Sequence, residues 1–239
     1  MIKLFRRFRK RLLTDNKVSK YLLYAVGEVI LVVLGILVAL QVNNWNEDRK
    51  ERQFEQKMLR ELNVSIQNNI QFLNRAIDEN KKARQSSQLI LNYLESSQAY
   101  HDSLDFHFSR ALFWFHPSLT NDAYESLKSY GLHLISNDSI RKSLGDIYEW
   151  TFLERFSDRQ EEYFYGTVAP LLVDWFTSYE FSGSMKPLDY EQLRVSSAYK
   201  HILRTMISNR TEQINLHELG RQNRLKLKEM IEEELVNTE

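Results

Sequence analysis

The chain contains no cysteine, and only three prolines and seven glycines, among its 239 residues. Without cysteine there is no disulfide, no thiolate metal site, no thiol nucleophile and no cysteine to carry a lipid. The few breakers are also unevenly placed. No proline precedes Pro117, and no glycine lies between Gly35 and Gly131. Nothing in that interval forces a helix to stop. The sequence also lacks a G-x-x-x-x-G-K-[ST] phosphate loop, a His-Glu-x-x-His zinc pair and the paired Glu-x-x-His motifs of a di-iron bundle. No excess of one charge sign exists overall, with 32 basic and 32 acidic residues.

What is present is one long apolar run, Tyr21–Val42, with a single ionisable group, Glu28. As a helix it covers about 33 Å, enough for a hydrocarbon core of about 30 Å. The zero net charge hides a sharp split. The first twenty residues hold eight Lys/Arg against one acid, whereas Asn43–Leu62 balances five of each sign. The positive-inside bias predicts a cytoplasmic N-terminus and an outer C-terminal part. Tyr21 and Tyr24 fall at the inner interface and Trp45 at the outer one, as interfacial anchors. The run is too long for a cleaved signal peptide and ends in Leu40-Gln41-Val42-Asn43 rather than in small residues, so it reads as an uncleaved anchor. Ahead of it, Ile2, Phe5, Phe8 and Leu12 recur at helical spacing between basic residues. Arg6, Arg7, Arg9, Lys10 and Arg11 are thereby predicted to meet the headgroups of an anionic inner leaflet.

Beyond the run, Leu59, Leu62, Ile66, Ile70, Leu73 and Ile77 recur three and four apart, an apolar helical stripe. One helix is predicted from about Lys20 to about Ser97. A strict heptad from Leu59 would place Asn69, Asn80 and Ser87 in a coiled-coil seam; the broader stripe favours an intramolecular bundle. Further helices are expected over Ser103–Phe115, from Thr120 or Asn121 to Tyr130 before Gly131, and from Asn137 or Asp138 to about Gly166. That last helix should kink or restart at Pro170 and end near Ser178. Phe181–Pro187 reads as a loop, and a final long helix begins near Ser196 or Ser197. The expected class is all-α: residues 1–20 a cytoplasmic basic segment, 21–42 a transmembrane helix, and 43–239 an antiparallel periplasmic bundle built on the continuing helix.

Chemistry-bearing residues are sparse. A carboxylate inside a span faces protein or water. Gly35 and Ala39 fall within about 20° of Glu28 on a helix, and Gly35-x-x-x-Ala39 permits close helix approach. The three residues are the candidate association face, with a homo-oligomer or a membrane protein as partner. The alternative is that Glu28 reaches back toward Lys20. The six histidines form no ligand spacing, so no metal and no cofactor are expected. Glu161-Glu162 and Glu232-Glu233-Glu234 read as solvated helix faces. Phe113-Trp114-Phe115 and Tyr163-Phe164-Tyr165 read as packing aromatics, with a ligand pocket as the alternative. Nucleic-acid binding is not expected, because the basic cluster adjoins the membrane segment.

Gly27–Glu47, GEVILVVLGILVALQVNNWNE, following a basic MIKLFRRFRKRLL start, resembles a family of uncharacterised single-span proteins common in Bacteroidetes-type bacteria. Asn121–Asp138, NDAYESLKSYGLHLISND, is similar to a segment that recurs in it. The resemblance implies a Gram-negative inner membrane and a periplasmic C-terminal part, and it brings no activity. The sequence thus predicts a non-enzymatic membrane-anchored scaffold or accessory subunit. Two other readings are kept: a periplasmic ligand-sensing bundle coupled to a separate partner, and an energy-transducing accessory subunit that uses Glu28.

Overall fold

The computed structural model describes residues 18–113, 115–150, 152–179 and 183–237. The basic segment with Arg6, Arg7, Arg9, Lys10 and Arg11 lies outside them, as does Trp114. The described residues are helical, with no strand among them and one isolated bridge between Phe176 and Pro187. The chain divides into two units, Met1–Phe54 and Glu55–Glu239.

The first helix, α1, is continuous over Val18–Glu95, as the lack of breakers predicts. It supplies all described structure of the first unit. In that unit the apolar side chains from Val26 to Val42 are exposed, Leu31 at 68% and Val38 at 62%. The most apolar window has a mean hydropathy of 2.5, and none of it is buried. By length and composition this helix can cross a membrane.

The second unit is a bundle. Along its part of α1, Leu59, Leu62, Ile66, Leu73, Ala76, Ile90 and Leu94 are at most 1% exposed. The stripe is therefore covered by the chain itself. After α1 come α2 (Leu104–Leu112) and α3 (Asp122–Tyr130), a short 3-10 turn (Leu132–Leu134), α4 (Asp138–Tyr148) and α5 (Phe152–Tyr163). A π turn (Phe164–Val168) leads into α6 (Ala169–Trp175). Next come α7 (Tyr190–Val195) and α8 (Ser197–Val236).

Side-chain links set the directions. Glu95 pairs with Arg204, Arg84 donates to Thr211, Lys81 lies 3.7 Å from Glu218, and Asn63 donates to Glu232. α8 therefore runs antiparallel to the Glu55–Glu95 part of α1. Asn137 donates to Glu234, and Ser143 approaches Met230, so α4 runs antiparallel to α8. One core cluster joins Ile90, Leu91 and Leu94 near the end of α1 to α2, the π turn and the start of α8. There Phe108, Phe176, Trp175 and Tyr199 interlock with ring centroids 5.2–6.4 Å apart.

Helix ends follow local chemistry. The Asn137 side chain accepts from Ser139 N and Ile140 N, and Ser196 accepts from Tyr199 N; both are N-caps that satisfy otherwise unpaired donors. Gly131 ends α3 at φ 115°, a conformation closed to most side chains. Three expectations need correction. The helix predicted from Asn137 to Gly166 ends at Tyr148, and a new one begins at Phe152. The helix predicted to Phe115 ends at Leu112, where Phe113 turns extended. The segment before α8 holds an unforeseen helix, α7, capped by Asp189 through Glu191 N and Gln192 N. Pro170 is the second residue of α6, which the chain enters directly from the π turn. In the predicted loop, Phe181 and Ser182 lie outside the described residues, while Met185 is fully buried in the core.

Candidate functional site

Within the first unit, Glu28, Gly35 and Ala39 belong to one uninterrupted helix. That places them on an arc of about 40° and along about 16 Å of axis. All three are exposed. A Cβ built at Gly35 meets nothing within 4 Å, so nothing in the chain itself requires glycine there. Tyr24 and Trp45 are exposed at 50% and 65%. The side chains of Lys20 and Tyr21 lie outside the described residues, and with them the alternative contact for Glu28.

The bundle holds a second arrangement, which runs along one side of α1. Ser87 Oγ donates to Ala111 O at 3.1 Å, and Asn80 Nδ2 donates to Phe115 O at 3.0 Å. Asn69 Nδ2 donates to Thr120 O at 2.8 Å and its Oδ1 accepts from Thr120 N at 2.9 Å. Ser87, Asn80 and Asn69 are fully buried. They are the three residues a heptad would have put in a seam. Here Ser87 holds the last turn of α2, and Asn80 and Asn69 hold Phe115 and Thr120 of the segment that follows it, so that the chain passes α1 in the opposite direction. The spacing fits the geometry. Eleven helical residues rise about 16 Å, and five extended residues span about the same.

Arg210 of α8 completes this polar layer. It is 2% exposed. It donates to Ser87 Oγ at 3.0 Å, Ala111 O at 2.6 Å and Phe113 O at 2.8 Å. These carbonyls are at the C-terminal end of α2, where a cation meets the negative end of the helix dipole. Burial lowers the Arg210 pKa to about 9, so it stays cationic at neutral pH. Its neighbour Arg110 pairs with Glu79 and stacks over Phe113. Further along α8, Gln213, His217 and Arg224 are at most 5% exposed. Burial and the nearby His116 push His217 down to about 4, which leaves it neutral. Arg224 donates to Gly220 O at 3.2 Å. At the start of this unit, Glu55 is 3% exposed and accepts from both N and Oγ of Ser136.

Sequence reasoning missed Arg210, Gln213, His217 and Arg224 as buried groups. Their signal was positional. They continue the register of Tyr199, Ile202, Leu203 and Met206 at steps of three and four. Leu219 of the same helix, apolar by residue type, is 46% exposed.

The aromatic clusters divide. Phe164 is in the core and Tyr165 is exposed at 55%, while Phe113 and Phe115 lie under Arg110 and Arg75. Tyr163 lines a shallow hollow of about 480 Å³ with Leu171 and His201. A larger open groove of about 650 Å³ lies between α1 and α8, lined by Arg84, Gln85, Gln88, Asn92, Tyr93 and Gln98 with Leu89, Ile207 and Thr211. Among the described residues, no group of three His, Asp or Glu is placed to hold a metal. Glu161 and Glu162 are exposed. Glu232 accepts from Lys228 and Asn63, and Glu234 from Asn137.

No curated protein and no solved structure matches this chain. The model of a family of unknown function, DUF6090, matches residues 28–156. That interval runs from Glu28 through the Asn69, Asn80 and Ser87 layer to α5, and it takes in more than half of the sequence. The chain belongs to this family.

Proposed function

We propose that this protein is a single-pass membrane protein that works by association, as a scaffold or accessory subunit, with no catalytic step of its own. The N-terminus is cytoplasmic and the bundle periplasmic, at a Gram-negative inner membrane. The observation that carries the reading is the exposed apolar surface of α1 from Val26 to Val42. Such a surface needs lipid or protein around it. On it, Glu28, Gly35 and Ala39 form a stripe that is polar or small, which suits a close contact with a second helix inside the bilayer. The contact is with a membrane protein or a second copy of the chain, and anionic lipids engage the basic N-terminal residues.

A second reading has support in the groove lined by Gln85, Gln88 and Gln98. Its amide-rich wall suits a polar ligand, in a sensor coupled to a separate partner. Phe113 and Phe115, which lie under arginines, and the core residue Phe164 do not line it.

The absence of cysteine makes a direct test clean. Single cysteines placed in turn from residue 28 to residue 42 are oxidised in native membranes, and the crosslinked products are sized. The proposal expects adducts to peak at positions 28, 35 and 39 and to fall between them. Equal crosslinking around the helix contradicts it, and the absence of adducts at every position rules out the second copy as the partner.

A further inference from the structure

A small cavity lies against α8, lined by Gln160, Phe164, Met206, Asn209, Arg210 and Gln213. Its free volume of about 10 Å³ suits one water-sized guest. Two buried donors belong to it. Arg210 and Gln213 are each 2% exposed, and Arg210 Nε and Gln213 Nε2 have no hydrogen-bond acceptor from the protein. The other guanidinium nitrogens are already engaged by Ser87, Ala111 and Phe113.

Charge narrows the choice of guest. Among the described residues, no carboxylate pairs with Arg210. Glu79, which pairs with the neighbouring Arg110, is held by Arg110 and Lys82. Tyr179 interacts electrostatically with Arg210, but burial raises its pKa and keeps it a neutral phenol. The α2 carbonyls offset part of the charge. A buried cation with a remaining N–H donor favours an anion over a neutral guest. The volume excludes carboxylate, phosphate and sulfate. Phe164 and Met206 supply the apolar, polarisable wall that a weakly hydrated halide tolerates.

We propose that this cavity is a monatomic-anion site, filled by chloride, with Arg210 Nε and Gln213 Nε2 as its donors. The site couples α8 to the π turn through Phe164 and to α5 through Gln160. It does not depend on the association reading above.

The test uses the full chain in detergent micelles. Unfolding is followed in sodium chloride and sodium bromide against sodium gluconate at equal ionic strength, and crystals are soaked in bromide. The expected result is a saturable rise in Tm of about 2–4 °C in either halide, with one anomalous bromide peak within hydrogen-bond distance of both nitrogens. Gln213→Leu, which keeps the bulk and removes the donor, should lose the halide-dependent rise while keeping its helical spectrum in gluconate. Excess broadening of the chloride NMR line by the parent protein, reduced in Gln213→Leu, gives a readout independent of unfolding. Equal Tm in halide and gluconate, or density for water with no bromide signal, overturns the proposal.

Discussion

Between Val26 and Val42, α1 carries apolar side chains on all sides, and every one of them is exposed; between Leu59 and Leu94 the same helix carries one apolar stripe, and the chain buries it. The polar residues are reversed as well. In the first stretch the lone carboxylate, Glu28, is exposed. In the second, Asn69, Asn80 and Ser87 are wholly buried and bonded to backbone. Backbone geometry is therefore no guide to what surrounds each stretch. The distribution of side chains is: an all-round apolar surface suits a hydrocarbon medium, and a stripe with buried amides suits a folded partner segment.

A charge placed in each stretch should break the comparison most strongly. Leu73→Asp buries an unpaired carboxylate in the bundle and should cost about 4 kcal/mol or more, enough to abolish cooperative unfolding. Leu31→Asp should leave bundle unfolding unchanged and instead reduce the fraction that resists alkaline extraction of membranes, since a charge at a span centre costs about 3 kcal/mol. Equal effects on bundle unfolding would break the distinction.

Acid tests the bundle alone. His217 is neutral in the folded state, with its pKa lowered to about 4 by burial first and by His116 second; the unfolded chain titrates it near 6.5. Below about pH 6.5 the unfolded state takes up the proton and the folded state does not. Stability should thus be complete above pH 6.5 and fall as pH drops toward 4, by about 3 kcal/mol for this group. In His217→Leu that part of the slope should vanish in urea titrations run at several pH values.

A smaller change sharpens the role of the polar layer. Asn69→Leu keeps the size and removes both bonds to Thr120, leaving its N–H and C=O unpaired. A loss of about 2–3 kcal/mol is expected from urea unfolding. If Asn69→Leu is neutral, the layer does not hold the 111–120 segment.

The smallest effect on the bundle is expected in the first stretch. Glu28→Gln and Glu28→Leu should both leave bundle Tm within about 1 °C. They should differ in assembly: Gln retains a hydrogen-bonding group and Leu does not. Retained assembly in Glu28→Gln together with lost cellular activity would favour proton work by Glu28 over a structural contact.

Much of the fold was legible because its signals are local. The missing breakers foretold α1, and Asn137, Gly131 and Ser196 marked ends that the structure places where chemistry puts them. The end of α4 at Tyr148 was not legible, since no glycine or proline announces it. α7 was hidden by its six residues, too few for a periodic pattern. The buried polar layer was half legible. Asn69, Asn80 and Ser87 visibly spoil a heptad, but what they bind lies far along the chain, and local spacing carries no long-range pairing. Arg210 and Arg224 were missed because residue type argued for the surface while register argued for the core. Glu28, Gly35 and Ala39 belong to one uninterrupted helix, whose period alone sets them on one side.

The measurement that bears most directly on association is the molar mass of the protein purified from native membranes in gentle detergent, with companions identified by mass spectrometry, for the parent chain and for Gly35→Leu. The account predicts a homo-oligomer or a stoichiometric membrane companion for the parent, lost or weakened when leucine fills the close-approach position. A bare monomer for the parent would contradict it.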